Sequence, residues 1–264
     1  MVKLYLNPDI RDMEREVGLA KEYGCAFEFS DFYAPTVLDD PRRQEEIIEC
    51  YARYRSDFSN DTMHGAFLDV TVHSSDPRIR EVSELRIRQS MEIAKRMGLK
   101  GVVFHTGRLA GFRVEFYLRQ WREMNQRFFE KIAEEYPDQQ IYIENMFDEA
   151  PDVMAELAEQ MRTVKNFGIC LDYAHAALTD CPGEAWVETL APHIRHIHIN
   201  DNDLKNDLHW PVGEGRIDWG NFDELIRAHQ VDATVLVEVS GYEAQKKSLE
   251  YIKQHGMYPL KNLT

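Results

Sequence analysis

Two hydrophobic periods take turns along this chain. Short runs rich in β-branched and aromatic residues, KLYLN (3–7), CAFEFSD (25–31), TMHGAFLDV (62–70), GVVFHTG (101–107), QIYIENM (140–146), FGICLDYAH (167–175), IRHIHIND (194–201) and ATVLVEV (233–239), read as strands. Longer stretches separate them, and there the apolar positions recur at three- and four-residue spacing. PRIREVSELRIRQSMEIAKRMG (77–98) and GFRVEFYLRQWREMNQRFFEKIAEEY (111–136) show this second period well, and each predicts an amphipathic helix. Gly98 is placed to end the first helix, with Leu99 and Lys100 leading into the strand that begins at Gly101.

Eight strands alternating with helices, over 264 residues, give 33 residues per unit, the size of one strand and one crossover helix. Repeated βα units imply parallel strands with right-handed crossovers, and eight of them close into a barrel. The expected fold is therefore α/β, a single (β/α)8 TIM barrel over residues 1–264 with no linker or composition shift to divide it. An open doubly wound sheet is the structural alternative, but no Gly-rich GxGxxG turn follows the first strand. A barrel also predicts where chemistry belongs, at the C-terminal ends of its strands.

Composition narrows the setting. A 44% hydrophobic content supplies a full core for a domain of this length. The N-terminal stretch has no apolar signal segment, and no run approaches the roughly 20 apolar residues of a membrane span. A soluble, cytoplasmic protein without membrane contact is expected. Cys25, Cys50, Cys170 and Cys181 form no CxxC pair, which fits reduced thiols and leaves nitrogen and oxygen to hold any metal. The formal charge of −15 disfavours non-specific binding to nucleic acid without excluding a local cationic groove. Oligomeric state is open.

Nine good metal ligands fall one after another at the ends of the β-prone runs: His64, His105, Glu144, Asp172, His175, His198, Asp207, His209 and Glu238. Strand alternation sends Ile141 and Ile143 toward the helices and Tyr142 and Glu144 into the barrel. The same alternation pairs Val103 with His105, Cys170 with Asp172, and Leu236 with Glu238 on inner faces. His64 and His198 join them, whereas His196, one layer below His198, reads as a packed barrel residue. Carboxylates buried together without cations repel and must take up protons, so the array points to metal. Mixed carboxylate and imidazole donors suit zinc, manganese, cobalt or iron better than calcium or copper(I).

The segments FHTG, IEN, LDYAH, HIND, DLHWPVGEG and VEV resemble the xylose isomerase-like TIM barrel superfamily, over nearly the whole chain. That superfamily includes sugar isomerases and epimerases and the abasic-site nuclease endonuclease IV. By resemblance to the epimerases, Glu144, Asp172, His198 and Glu238 would hold one ion, with Glu144 and Glu238 as the catalytic pair. The implied chemistry is proton transfer beside a carbonyl through a metal-stabilised enediolate of a sugar, sugar phosphate or keto-polyol. By resemblance to the nuclease, His64 and His105 would add a site bridged by Glu144, and His175, Asp207 and His209 a third, making a trinuclear zinc-like cluster for phosphodiester cleavage.

One to three divalent ions per chain are thus expected. HGAFLDVTVHSSDPRIREVS and NDNDLKNDLHWPVGEGRIDW look closer to sugar phosphate isomerase/epimerase-like proteins, so the isomerase reading leads and the endonuclease is the alternative. Arg108, Arg113, Lys205 and Arg216 are the candidate phosphate-binding cations, and Phe67 with Leu68 the candidate wedge for a base stack. Arg216, in GEGRID, and Trp210 are expected to contact substrate. Trp219 either walls the pocket with Trp210 or pins the loop.

Overall fold

The protein is described from a computed structural model covering residues 2–260. In chain order the elements are β1 (Leu4–Leu6), α1 (Met13–Tyr23), β2 (Ala26–Phe29), α2 (Pro35–Leu38), α3 (Pro41–Ala52), β3 (Thr62–His64), α4 (Pro77–Met97), β4 (Gly101–His105), α5 (Glu115–Glu135), β5 (Gln140–Glu144), α6 (Asp152–Gln160), β6 (Phe167–Asp172), α7 (Tyr173–Ala177), α8 (Gly183–Leu190), β7 (Ile194–Ile199), α9 (Trp219–Ala228), β8 (Thr234–Val237) and α10 (Tyr242–Gln254). All eight strands are parallel and pair in sequence order, and β8 closes on β1. The result is the (β/α)8 barrel that the alternating periods predict.

Register separates two cores. Residues such as Val102, Phe104, Ile141, Ile143, Ile197, Ile199, Val235 and Val237 point outward and pack with the helices in one large buried cluster. Two small clusters plug the interior: Tyr5 with Ala26 and Leu236, and Val103 with Tyr142 and Cys170. Pairing of His105 with Glu144 and of Asp172 with His198 sets those four side chains at the barrel mouth above the plug. Period-two alternation thus delivers polar groups into a water-poor pocket without interrupting the outer core.

Several strands are shorter than the apolar runs suggest. The run 62–70 is strand only as far as His64, because the chain turns away at Gly65, where the phenyl ring of Phe104 fills the space above its Cα. Asp69 then takes φ 60°, which continues the turn. The run 167–175 stops at Asp172, whose side chain accepts a hydrogen bond from the His175 backbone N–H at 2.7 Å and so caps α7. His175 therefore sits on a one-turn helix beyond the strand. Gly98 does end α4, in the left-handed conformation at φ 69°.

Close packing at Gly65 makes a direct check of this geometry. A methyl group there would lie 2.9 Å from Val102 Cγ1 and nearer still to the Phe104 ring. Gly65→Ala should lower the unfolding free energy by about 1–3 kcal/mol, the usual cost of overpacking. Urea denaturation of the two proteins measures this, and an unchanged midpoint would contradict the packing described.

Candidate metal centre

Glu144 ends β5, Asp172 ends β6, His198 lies near the end of β7, and Glu238 is the first residue past β8. One ligand atom from each lies within 4.8 Å of the others. His198 Nδ1 stands 3.0 Å from Glu144 Oε1 and 3.4 Å from Glu238 Oε2, so one imidazole nitrogen faces carboxylates carried by β5 and β8. Glu144 Oε2, Asp172 Oδ2 and Glu238 Oε2 are buried without any hydrogen-bond partner. Buried carboxylate oxygens left without partners are costly alone and are the donors a divalent cation accepts.

A second group joins Glu144 from the other side. His64 Nε2 and His105 Nε2 are 3.1 Å apart, and each lies 3.3 Å from Glu144 Oε2. The His64 Nδ1–H donates to the Gly65 carbonyl at 3.0 Å, so the neutral ring presents a lone pair at Nε2 toward that carboxylate oxygen. Two lone pairs at such a distance call for a proton or a cation between them. Phe67 packs against both rings, with centroids 5.0 Å from His64 and 4.9 Å from His105. It lines this group, while Leu68 beside it is exposed.

The third group comes from loops. His175 Nε2 lies 3.3 Å from Asp207 Oδ2, and His209 Nε2 lies 3.2 Å from Asp207 Oδ1. The Nδ1–H of His175 donates to the Asn145 carbonyl at 3.0 Å, and that of His209 to the Glu238 carbonyl at 2.8 Å. Backbone carbonyls thus hold both rings with Nε2 turned to Asp207, the usual device for orienting a ligating imidazole. Asp207 and His209 belong to the loop between β7 and α9, not to a strand end as the linear sequence suggests. Fully buried Asp201 anchors that loop by accepting from the backbone N–H groups of Asn202, Gly213 and Ile217 and from Trp219 Nε1 at 2.8 Å. Trp219 therefore pins the loop from inside.

Electrostatics follow from this crowding. Burial alone would strip the proton from His198, yet Cys170, Glu144, Glu238 and Glu28 around it hold it well above the usual imidazole range. Burial also opposes the charge on Glu144, but His198 and His105 keep its carboxyl well below the ordinary range. Asp172 is pushed up to about 7 by burial, with His175 opposing the shift and Glu144 and Glu238 adding to it. His209 rises to about 10 because Asp207 and Glu238 outweigh its desolvation. Protons held by His198, His209 and Asp172 offset part of the negative charge gathered here.

All nine predicted ligands are brought together in these three groups. His196 is fully buried, stacked on Tyr142 and edge-on to Tyr5, as a packed barrel residue. Arg216 and Trp210 are exposed on the loop after β7, and no hydrogen bond or ion pair of the Arg216 side chain appears among the described residues. Arg108 is nearly buried and bound to Asp148 at 2.7 Å and to Glu149, while Arg113 pairs with Asp152 at 3.0 Å. Of the four candidate cations Lys205, Arg216 and Arg113 are exposed, and among the described residues Lys205 and Arg216 make no ion pair. A cleft of about 320 Å³ opens beside His175, walled by Met146, Phe147 and Leu178.

Glu28 is a buried neighbour of this cluster that the sequence reading passes over. It points inward from β2, 2% exposed, and reaches His198 Nε2 at 3.0 Å and His196 Nε2 at 3.1 Å. The signal was present in CAFEFSD, where a carboxylate alternates with two buried phenylalanines on the face shared with Ala26.

An uncharacterised protein of Methanocaldococcus jannaschii is 25% identical over 229 residues, covering 81% of this chain and 75% of the relative. Among solved structures, a Thermus thermophilus protein soaked with zinc chloride superposes with a TM-score of 0.75 at 22% identity, over 96% of this chain and 97% of its own. A D-tagatose 3-epimerase-like protein gives a TM-score of 0.76 at 23% identity, with coverage of 96% and 97%. At these identities the likeness establishes the fold. The family model for the xylose isomerase-like TIM barrel matches residues 17–255, and the chain belongs to that family.

Proposed function

We propose that this chain, acting as one domain, is a metal-dependent isomerase or epimerase of a sugar, sugar phosphate or keto-polyol. The observation that carries the reading is the pair Glu144 and Glu238, set on β5 and beyond β8 with His198 Nδ1 between their carboxylates. A substrate carbon held between two opposed carboxylates can lose a proton to one and regain it from the other. Glu144, Asp172, His198 and Glu238 would hold the ion, whose part is to polarise the adjacent carbonyl and hydroxyl oxygens and stabilise the enediolate. Zinc, manganese or cobalt suits these donors.

The walls fit a small molecule. Met146, Phe147 and Leu178 supply apolar surface beside the ligands, and exposed Trp210 stands next to His209 in sequence, where its ring can face a sugar. Arg108 and Arg113 are already committed to carboxylates, which leaves little free positive charge at the mouth for a nucleic acid backbone. The names of the matched structures point the same way: one is D-tagatose 3-epimerase-like, and another was soaked with zinc chloride. Free cysteines and the absence of a membrane-length apolar helix among the described residues accord with a cytoplasmic setting.

A second reading, a phosphodiesterase of the endonuclease type, is favoured by one observation. Glu144 shares its two oxygens between the His64–His105 group and the His198 group, with the Asp207 group alongside, as a three-ion site would require. Three ions can hold the attacking and leaving oxygens of an in-line displacement.

Exchange chemistry separates the readings. Zinc-, manganese- or cobalt-loaded protein, incubated with a panel of ketoses in deuterated water, should place deuterium beside the carbonyl. Glu144→Gln and Glu238→Gln should each slow exchange by about 10²- to 10⁴-fold, the typical worth of a positioned acid or base. No exchange across the panel, with chelator-sensitive nicking of a duplex carrying an abasic site, would move the assignment to the second reading.

The pH response of stability follows from the same cluster. His175, His198 and His209 have folded values above the unfolded value near 6.5, so their stabilisation is present below that pH and is lost as pH rises through the folded values. The cost of ionising Asp172 is reached by about pH 7, and the lowered Glu144 and Glu238 contribute a constant amount above their ordinary range. Thermal melts of metal-free protein should therefore show Tm falling between about pH 6.5 and 10. Zinc competes with those protons, so its stabilising effect should grow over the same window. A metal-free Tm that rises with pH would contradict the assignment.

A further inference from the structure

We propose that Glu28 is a positioning residue that fixes His198 with its Nδ1 lone pair turned toward Glu144, Asp172 and Glu238. The inference deepens the metal reading above and rests on it. Three other candidate ligands, His64, His175 and His209, donate Nδ1–H to a backbone carbonyl and present Nε2. His198 is reversed. Its Nδ1 faces the carboxylates of the mouth, and its Nε2 points down the barrel toward Glu28.

Glu28 occupies that place. Its Oε1 lies 3.0 Å from His198 Nε2, its Oε2 3.1 Å from His196 Nε2, and the Thr62 hydroxyl donates to Oε2 at 2.7 Å. With an ion on Nδ1, the His198 ring would keep its one proton on Nε2, facing Glu28 at ion-pair distance. His196 Nδ1 lies 2.6 Å from the Thr234 hydroxyl, which holds that ring in place. His198, holding its proton against Glu28, keeps Nδ1 available to an ion at the mouth.

A filling role alone does not account for the residue. Interior barrel layers are ordinarily closed by branched apolar side chains, and a leucine would occupy this volume without a buried charge. A carboxylate placed at β2, bridging two histidines of β7, turns the layer below the ligands into a clamp on one of them. Partners of this kind orient and strengthen a ligating imidazole.

Two variants and one spectrum test the assignment. Zinc affinity would be measured by chelator competition for wild type, Glu28→Gln and Glu28→Leu, alongside melting of the metal-free proteins. Glutamine keeps the shape but cannot accept both N–H groups, and leucine keeps the volume. Both should bind zinc about 10- to 100-fold more weakly while remaining folded. Long-range ¹H–¹⁵N spectra of zinc-loaded wild type should show the His198 proton on Nε2. Affinity within twofold of wild type in either folded variant would overturn the inference, as would a His198 proton on Nδ1. Should neither variant fold, the wild-type spectrum decides alone. Failure of the wild type to take up zinc would overturn the metal reading and this inference with it, whereas unweakened uptake by the variants overturns the inference only.

Discussion

Glu144, Asp172 and Glu238 each keep one buried carboxylate oxygen without a hydrogen-bond partner at the mouth of the barrel, above a layer that already holds Glu28 and His196. Removing one such charge from water costs several kcal/mol in a real protein, and bringing like charges together adds to that. The surrounding structure is arranged around offsetting this cost. Five histidines crowd the carboxylates, and the resulting shifts run in opposite directions: Glu144 stays ionised, Asp172 is driven toward its neutral form, and His175 and His198 hold their protons. A divalent ion would replace those protons with fixed charge at the point where the lone pairs converge.

The barrel supplies the geometry. Parallel pairing fixes which residues share a layer, so His105 meets Glu144 across β4 and β5, and Asp172 meets His198 across β6 and β7. Below them the Val103–Tyr142–Cys170 plug excludes water, which strengthens every electrostatic interaction above it. Asp201 performs a related task outside the barrel by gathering the N–H groups of the loop that carries Asp207 and His209. Orientation of the imidazoles is assigned to backbone carbonyls in three cases and to Glu28 for His198.

Much of this was legible in the linear sequence because two periodicities were enough. Alternation in QIYIENM and GVVFHTG placed Glu144 and His105 on inner faces, and the structure brings them there. Strand ends were less legible. Gly65 looked like the middle of an apolar run, yet the Phe104 ring above it turns the chain away. His175 read as the last residue of a strand, but the side chain of Asp172 starts a helix before it. Glu28 lies in the layer beneath the strand ends, where a charged residue between two phenylalanines contacts His198 without any motif to mark it. Loop side chains such as Arg216 and Trp210 have no period to read, and their role depends on a substrate.

Family membership and geometry together leave one physical claim at the centre, that Glu144, Asp172, His198 and Glu238 close around a cation. Anomalous diffraction from crystals of zinc-loaded protein, recorded on both sides of the zinc edge, addresses it without reference to turnover. A peak is expected among those four side chains, within coordination distance of His198 Nδ1 and the carboxylate oxygens. An ordered crystal in zinc with no peak there would contradict it.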